Sequence, residues 1–280
     1  MHTPLIALLT DFGMDDSYVG VMKGVISGIC PDARIIDLTH AIAPQNVRQG
    51  AFELLTTYTY FPADTIFLVV VDPGVGGTRR PMLARAGTYT FIAPDNGVLS
   101  YVLDRDPAAQ VHELTSAQHR LSRVSNTFHG RDVFAPAAAY LARGGAPEVL
   151  GPRLESYVRL PQPRLVRDDK RIRGEAVHVD HFGNIVTSIG NLTWTHEGEL
   201  ALHSAWDAQA EAVRIDAKQA VVTYDDWRIN GIARTYTDVP RGSLLALVGS
   251  SGFLEIAINQ GDACAQLSAG IGFEFDLQLG

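Results

Sequence analysis

A β-branched run, Val69-Val70-Val71, breaks off at Asp72-Pro73 and a loop holding Gly74, Gly76 and Gly77, followed by Arg79-Arg80. A run of this kind reads as a strand buried on both faces, as in a parallel sheet covered by helices. Ligands of open α/β sheets bind beyond the carboxyl ends of the strands. That edge here carries a carboxylate, a loop of exposed backbone N–H groups and two guanidiniums, which points to a small-molecule site. The surrounding sequence agrees. Residues 5–9, 34–38 and 65–71 read as strands, and 18–29 as a helix closed by Pro31. Val47, Ala51, Leu54, Leu55 and Tyr58 form one helical stripe with Asn46 as its cap. Residues 82–86 and 90–92 read as a hairpin turning at Gly87, and 132–142 as an alanine-rich helix. Strand–helix alternation predicts an α/β fold with a mostly parallel sheet and helices on both faces.

The texture changes between residues 151 and 173, where Pro152, Pro161, Pro163 and a charge-dense stretch at 164–173 read as a linker. Beyond it, short strands are expected at 175–179, 184–189, 212–215, 244–248, 253–258 and 273–277, with no long helix. That spacing predicts a smaller antiparallel β-barrel or sandwich. The 280 residues suffice for two domains, placed at 1–165 and 172–280. A net charge of −8 argues against a nucleic-acid partner. Cys30 and Cys264 make neither a disulfide framework nor a zinc site, so a reducing, cytoplasmic setting is expected. No segment has the roughly 20 apolar residues of a membrane helix, and the first residues lack a basic leader.

Each polar cluster of the first half falls at a strand end. Asp11, Asp37, Asp72 and Asp95 all follow apolar runs, which suggests one shared site. Asp11 is placed to accept ribose hydroxyls. Asp15-Asp16-Ser17 reads either as a helix cap or as a clamp for an ammonium group. Residues 10–13 (TDFG) match the metal-binding triplet of kinases, but the other kinase signatures are missing. Gly74-Val75-Gly76-Gly77-Thr78 lacks the Gly-Lys-Ser/Thr ending of a phosphate loop. His129 is either a capping residue or part of an Asp72–Arg79–His129 set able to orient a water or relay its proton. His178 and Asp180 share a strand face but His181 does not, so no three metal ligands align. Phe182-Gly183-Asn184 is either a plain turn or an aromatic and an amide for stacking on a base and bonding its edge. The turn at 249–252, with Ser250 and Ser251, offers N–H groups and hydroxyls suited to a carboxylate.

These segments resemble the S-adenosylmethionine hydroxide adenosyltransferase family, relatives of the fluorinases and chlorinases. The resemblance is carried by TDFG (10–13), DDSYVG (15–20), IDLTH (36–40), VDPGVG (71–76), APDNG (93–97), FHGRD (128–132), DHFGN (180–184) and SSGFLEIAINQG (250–261), in that order. It implies hydrolysis of S-adenosyl-L-methionine to adenosine and L-methionine, by in-line attack of water or hydroxide on ribose C5′. Domain 1–165 would then bind the nucleoside and carry the catalysis, and 172–280 would complete the site. The family's catalytic set maps onto Asp72, Arg79 and His129, with Arg80 one residue away as the alternative arginine. The ribose acid maps onto Asp11. The methionine end maps onto Asp15, Asp16, Ser17, Asp180, Ser250 and Ser251, and the adenine end onto Asn184, Tyr236 and Asn259 with Gln260.

The resemblance further implies a homotrimer with sites at subunit interfaces, and neither metal nor organic cofactor. Where the halogenases carry a tyrosine and a small hydroxyl residue, this chain has Asp72 and Gly130. It also replaces their long insertion with the tight turn at Gly87. An anionic Asp72 would repel a halide, which favours water as nucleophile over a 5′-halo-5′-deoxyadenosine synthase. The remaining alternatives are a non-catalytic S-adenosylmethionine or nucleoside sensor, and a metal-dependent phosphohydrolase using His178, Asp180 and His181.

Overall fold

A computed structural model describes residues 3–196, 198–207 and 209–280. It divides into two compact units between Leu160 and Pro161. The first holds strands β1 (Leu5–Thr10), β2 (Arg34–Thr39), β3 (Ile66–Val70), β4 (Pro81–Ala86), β5 (Tyr89–Pro94) and β6 (Gln110–Glu113). Helices α1 (Tyr18–Ile29), α2 (Val47–Thr57), α3 (Ser100–Leu103), α4 (Ala135–Ala142) and α5 (Pro147–Leu150) accompany them. The sheet runs β2-β1-β3-β5-β4-β6, parallel through its first four strands and antiparallel at β4 and β6. Every residue of β3 is buried, as expected of a strand covered on both faces. Ile6 and Leu8 of β1 share a core with Val19, Met22 and Ile26 of α1 and the alanines of α4. On the opposite face, Gly50 of α2 lies so near Leu9, Val71 and Val98 that a Cβ would meet Val71 at 3.1 Å.

Two local expectations are met. Asn46 caps α2, its side chain accepting from the Gln49 N–H. Replacing Asn46 with Ala is expected to lower unfolding free energy by about 1 kcal/mol, read by urea denaturation; no change would remove the cap's contribution. The β4–β5 hairpin turns at Gly87, whose φ of +55° suits glycine. The helix expected over 132–142 instead begins as a π-helical turn, Gly130–Phe134, and becomes α-helical at Ala135. Short π segments recur beside functional sites.

The second unit is antiparallel. Its larger sheet has the order β14-β13-β17-β8-β9-β16-β15, with β7 paired to β8, and β14 packs against β15 so that the sheet is nearly closed. These strands are β7 (Leu165–Arg167), β8 (Arg171–Val179), β9 (Ile185–Gly190), β13 (Val221–Tyr224), β14 (Trp227–Asn230), β15 (Leu244–Val248), β16 (Phe253–Ile258) and β17 (Glu274–Gln278). A separate three-stranded sheet joins β10 (Leu192–His196), β11 (Glu199–Leu202) and β12 (Val213–Asp216). The only α-helix among the described residues of this unit is α6 (Ala263–Leu267).

The charge-dense linker reading of 164–173 is corrected here, because much of it is strand. Arg171, Ile172, Arg173 and Gly174 alternate between outward and buried, Ile172 entering the core while Arg173 pairs with Asp276 of β17 at 2.9 Å. Charges on the outward face masked the period of two. No helix among the described residues is long and apolar enough to cross a membrane.

Candidate active site

The loop after β3 folds back on itself. Val75 N–H donates to the Asp72 carbonyl and Gly77 N–H to that of Gly74, returning Arg79 to the strand end. Arg79 Nε then donates to Asp72 Oδ1 at 2.9 Å and Nη2 to Oδ2 at 2.5 Å, a bidentate pair with side chains only 9% and 5% exposed. Arg79 Nη2 also reaches His129 Nδ1 at 2.7 Å. A guanidinium can only donate, so Nδ1 accepts and the neutral imidazole carries its proton on Nε2. The guanidinium lies over the Phe134 ring, 5.4 Å from its centre. The neighbouring Arg80 turns elsewhere. Its Nε and Nη2 bond Asp95 Oδ2 at 2.9 and 2.6 Å, and Nη2 also donates to the Ser156 carbonyl. Asp95 Oδ1 accepts from Val158 N–H, so Arg80 and Asp95 fasten the 156–158 segment.

His129 is delivered by the segment before the π turn. Asp132, fully buried, accepts from Ser125 N–H at 2.7 Å and from Arg131, while its backbone carbonyl accepts from Leu121 N–H. Burial works against its ionisation, but Arg131 and the Ser125 N–H hold its pKa below the usual value. Gly76, with φ +74°, fits the two loops together, because a Cβ there would lie 2.1 Å from the Asn126 carbonyl oxygen.

His129 has its pKa lowered from the ordinary 6.5, first by burial and then by the Arg79 charge. Below 6.5 the unfolded chain therefore binds more protons at this residue than the folded one. Its contribution to stability is complete above 6.5 and declines as pH falls from there toward the folded value. Protonating Nδ1 would also set an N–H against Arg79. A wild-type pH–rate profile is thus expected to have an acidic limb with a midpoint below 6.5 that changes in His129→Gln; a midpoint above 6.5 would contradict the lowered pKa.

Asp11 follows β1, and its Oδ2 accepts from Gln45 N–H at 2.7 Å. Behind it runs a polar chain: Lys23 Nζ to Asp37 Oδ2 at 2.6 Å, Asp37 Oδ1 to His40 Nε2 at 3.0 Å, and His40 Nδ1 to Thr10 Oγ1 at 2.8 Å. Phe12 N–H donates to that hydroxyl and Gly13 N–H to the His40 carbonyl, which together shape the loop bearing Asp11. The shared site expected from four acids is therefore smaller. Asp37 and Asp95 brace loops, and Asp11 and Asp72 keep the sheet edge. Asp15, Asp16 and Ser17 are exposed. Ser17 occupies the cap position of α1 but makes no side-chain cap bond, since its own φ and ψ are already helical. The capping reading of that cluster is corrected accordingly.

In the second unit, Asp180 organises its own turn. Oδ1 accepts from the N–H groups of Phe182 and Asn184, and Oδ2 from Asn184 Nδ2 at 2.8 Å. Asn184 is thus a turn residue by its backbone while it also lines an open groove of about 540 Å³ with Phe182, Tyr236, Asn259 and Gln260. Phe182 is 73% exposed, unusual for a phenylalanine. Asn259 commits Nδ2 to the Val239 carbonyl. Tyr236 opens a short 3-10 turn (Tyr236–Asp238) whose capping box pairs Thr235 with Asp238. Ser250 is exposed and Ser251 half-buried in the turn between β15 and β16. Among the described residues, no three His, Cys, Asp or Glu side chains are arranged to hold a metal ion.

Glu255, a buried acid in the middle of β16, accepts from Tyr236 Oη at 2.6 Å and is not among the residues the motifs point to. Its signal was a lone acid within the apolar run FLEIAI. The chain Lys23–Asp37–His40–Thr10 was also missed, because its members are scattered in sequence.

Strand-end acids, arginine and histidine on an α/β unit, followed by a β-rich unit, suit small-molecule chemistry, and the loop after β3 lacks the Gly-Lys-Ser/Thr ending of a nucleoside-triphosphate site. The N-terminal domain pattern of the SAM hydroxide adenosyltransferases matches residues 6–151, and their C-terminal domain pattern matches residues 174–275. The chain belongs to this family. It is 36% identical to an (R)-S-adenosyl-L-methionine hydrolase of Salinispora arenicola, over 99% of each chain. It is 34% identical to one of Thermus thermophilus, over 92% of this chain and 93% of that one. A fluorinase of Actinopolyspora mzabensis is 31% identical over 66% of this chain and 71% of its own. The crystal structure of an uncharacterized conserved protein from Thermotoga maritima is similar with a TM-score of 0.85 and 37% identity, covering 98% of this chain and 99% of that one.

Proposed function

We propose that the protein hydrolyses S-adenosyl-L-methionine to adenosine and L-methionine. The observation that carries this reading is the Asp72–Arg79–His129 set at the carboxyl edge of the sheet, with Asp72 where a halogenase would need a group that tolerates an anion. Family membership and the names of the full-length relatives support it.

In the reaction, a water oxygen forms a bond to ribose C5′ as the C5′–S bond breaks. The electron pair of that bond goes to sulfur, which leaves as a neutral thioether. No acid is needed for departure. The chemistry joins a sulfonium to a developing hydroxide and disperses charge, so a poorly solvated site favours the transition state. The protein must hold the water in line and take its proton. Asp72 accepts one water proton, and His129 Nε2–H donates to the water oxygen, leaving one lone pair for C5′. Arg79 holds both partners in register. The proton passes from Asp72 to solvent.

Asp11 binds the ribose hydroxyls in this reading. Asp15, Asp16, Ser17, Asp180, Ser250 and Ser251 receive the methionine portion, and Asn184, Tyr236 and Asn259 the adenine. A homotrimer with its sites shared between subunits, working in the cytoplasm without a cofactor, completes the proposal.

Chromatography of the protein incubated with S-adenosylmethionine, with and without fluoride or chloride, tests it. Adenosine and methionine in equal amounts, unaffected by halide, are expected. A 5′-halo product would move the protein to the halogenases, and bound but unconsumed ligand would make it a sensor.

A further inference from the structure

Glu255 is a buried acid in the β-rich unit that the reaction above leaves unused. It sits in β16 between β9 and β15, its neighbours in register being Val186 and Leu247. Leu254, Ile256 and Ile258 face the main core of this unit, so Glu255 lies on the other face, beside Leu247 and Ala257. A carboxyl group in such surroundings is unfavourable unless it is hydrogen-bonded. Its partner is Tyr236, whose hydroxyl donates to Oε1 at 2.6 Å. Oε2 lies against the next turn, and a Cβ at Gly249 would meet it at 2.7 Å. One carboxyl group therefore touches the residue lining the groove and the start of the turn bearing Ser250 and Ser251.

Tyr236 itself is 40% exposed and stands on a short turn closed by the Thr235–Asp238 capping box. The bond to Glu255 fixes the far end of the ring and holds it along the groove wall lined by Phe182 and Asn184. We infer that Glu255 is a positioning residue that acts through Tyr236, setting the ring plane against which the substrate's base is bound. The inference rests on the proposed function in taking that base to be adenine. Burial and the nearby Asp180 raise the Glu255 pKa, with the Tyr236 bond pulling against them, and burial with the Glu255 bond raises that of Tyr236. The raised Tyr236 pKa keeps the phenol protonated, as its donation to Glu255 requires.

The test is adenosine affinity by calorimetry, alongside kcat and KM for S-adenosylmethionine, in wild type, Tyr236→Phe, Glu255→Leu, the double variant and Glu255→Gln. Losing the bond is expected to weaken adenosine binding roughly tenfold in Tyr236→Phe and in Glu255→Leu. The double variant is expected to be no weaker than either single one, because both remove the same bond. KM rises while kcat holds. Glu255→Gln, whose amide oxygen still accepts from the phenol, restores affinity to within about twofold. Additive losses, unchanged affinity in Tyr236→Phe, or a Glu255→Gln variant as weak as Glu255→Leu would each overturn the inference. Should Glu255→Leu not fold, Tyr236→Phe and Glu255→Gln still decide, since both keep the size of the side chain they replace. Wild-type protein that binds neither adenosine nor S-adenosylmethionine would instead overturn the proposed function.

Discussion

Asp72→Ala is expected to lower kcat by about 10³-fold while S-adenosylmethionine still binds within a few-fold of wild type, since general-base groups contribute about 10²–10⁴. The geometry explains why the loss should fall on turnover. Asp72 is held by a bidentate pair with Arg79, both side chains nearly buried, and Arg79 links it to His129. Removing the carboxylate takes away the proton acceptor and frees the guanidinium, so His129 loses its orientation as well. Rapid-quench turnover and equilibrium binding, measured on the same preparation, separate the two effects. Equal losses in affinity and rate would mean that Asp72 binds substrate and that another group handles the water. Asp72→Asn should fall nearly as far, because an amide fits the space but accepts a proton poorly.

Gly76→Ala should be nearly as damaging, by a different route. Its φ of +74° alone costs an L-residue roughly 1–2 kcal/mol. The added methyl would also lie 2.1 Å from a backbone carbonyl, which cannot rotate away as a side chain could. The Asp72–Arg79 loop and the segment leading to His129 must then move apart. A shift of about 1 Å in such a set can cost about 10²-fold in rate. We expect about 3 kcal/mol of lost stability in the first unit and at least about 10²-fold lower kcat/KM, read by thermal unfolding and steady-state kinetics. A variant with wild-type rates would show that the two loops act independently.

Much of this site was legible in the sequence because it lies at strand ends. Val69–Val71 announced a buried strand, and the residues after it could only be at the sheet's carboxyl edge. Asp72 and Arg79 were within reach of one another by loop length alone. His129, some fifty residues on, read equally as a cap or as a member of the set, and the resemblance rather than spacing chose between the two. What stayed hidden was of two kinds. Asp37 and Asp95 look like ligand-binding acids in sequence, yet their oxygens are occupied by Lys23 and His40 and by Arg80 and Val158. Such partners come from distant elements or from backbone, which residue type does not reveal. Glu255 was hidden for the opposite reason. A single acid in an apolar strand breaks a pattern without saying what it faces, and its partner Tyr236 sits on another element. The strands in 165–174 were obscured by arginines that reach solvent from a half-buried sheet.

The most direct test of the account is isotopic. Single-turnover hydrolysis in ¹⁸O-water, with the products resolved by mass spectrometry, reports which bond the water makes. One ¹⁸O in adenosine, at the 5′ position, and none in methionine is the expected result. Label absent from adenosine, or a 5′-halo nucleoside formed when halide is present, would contradict attack of water at C5′.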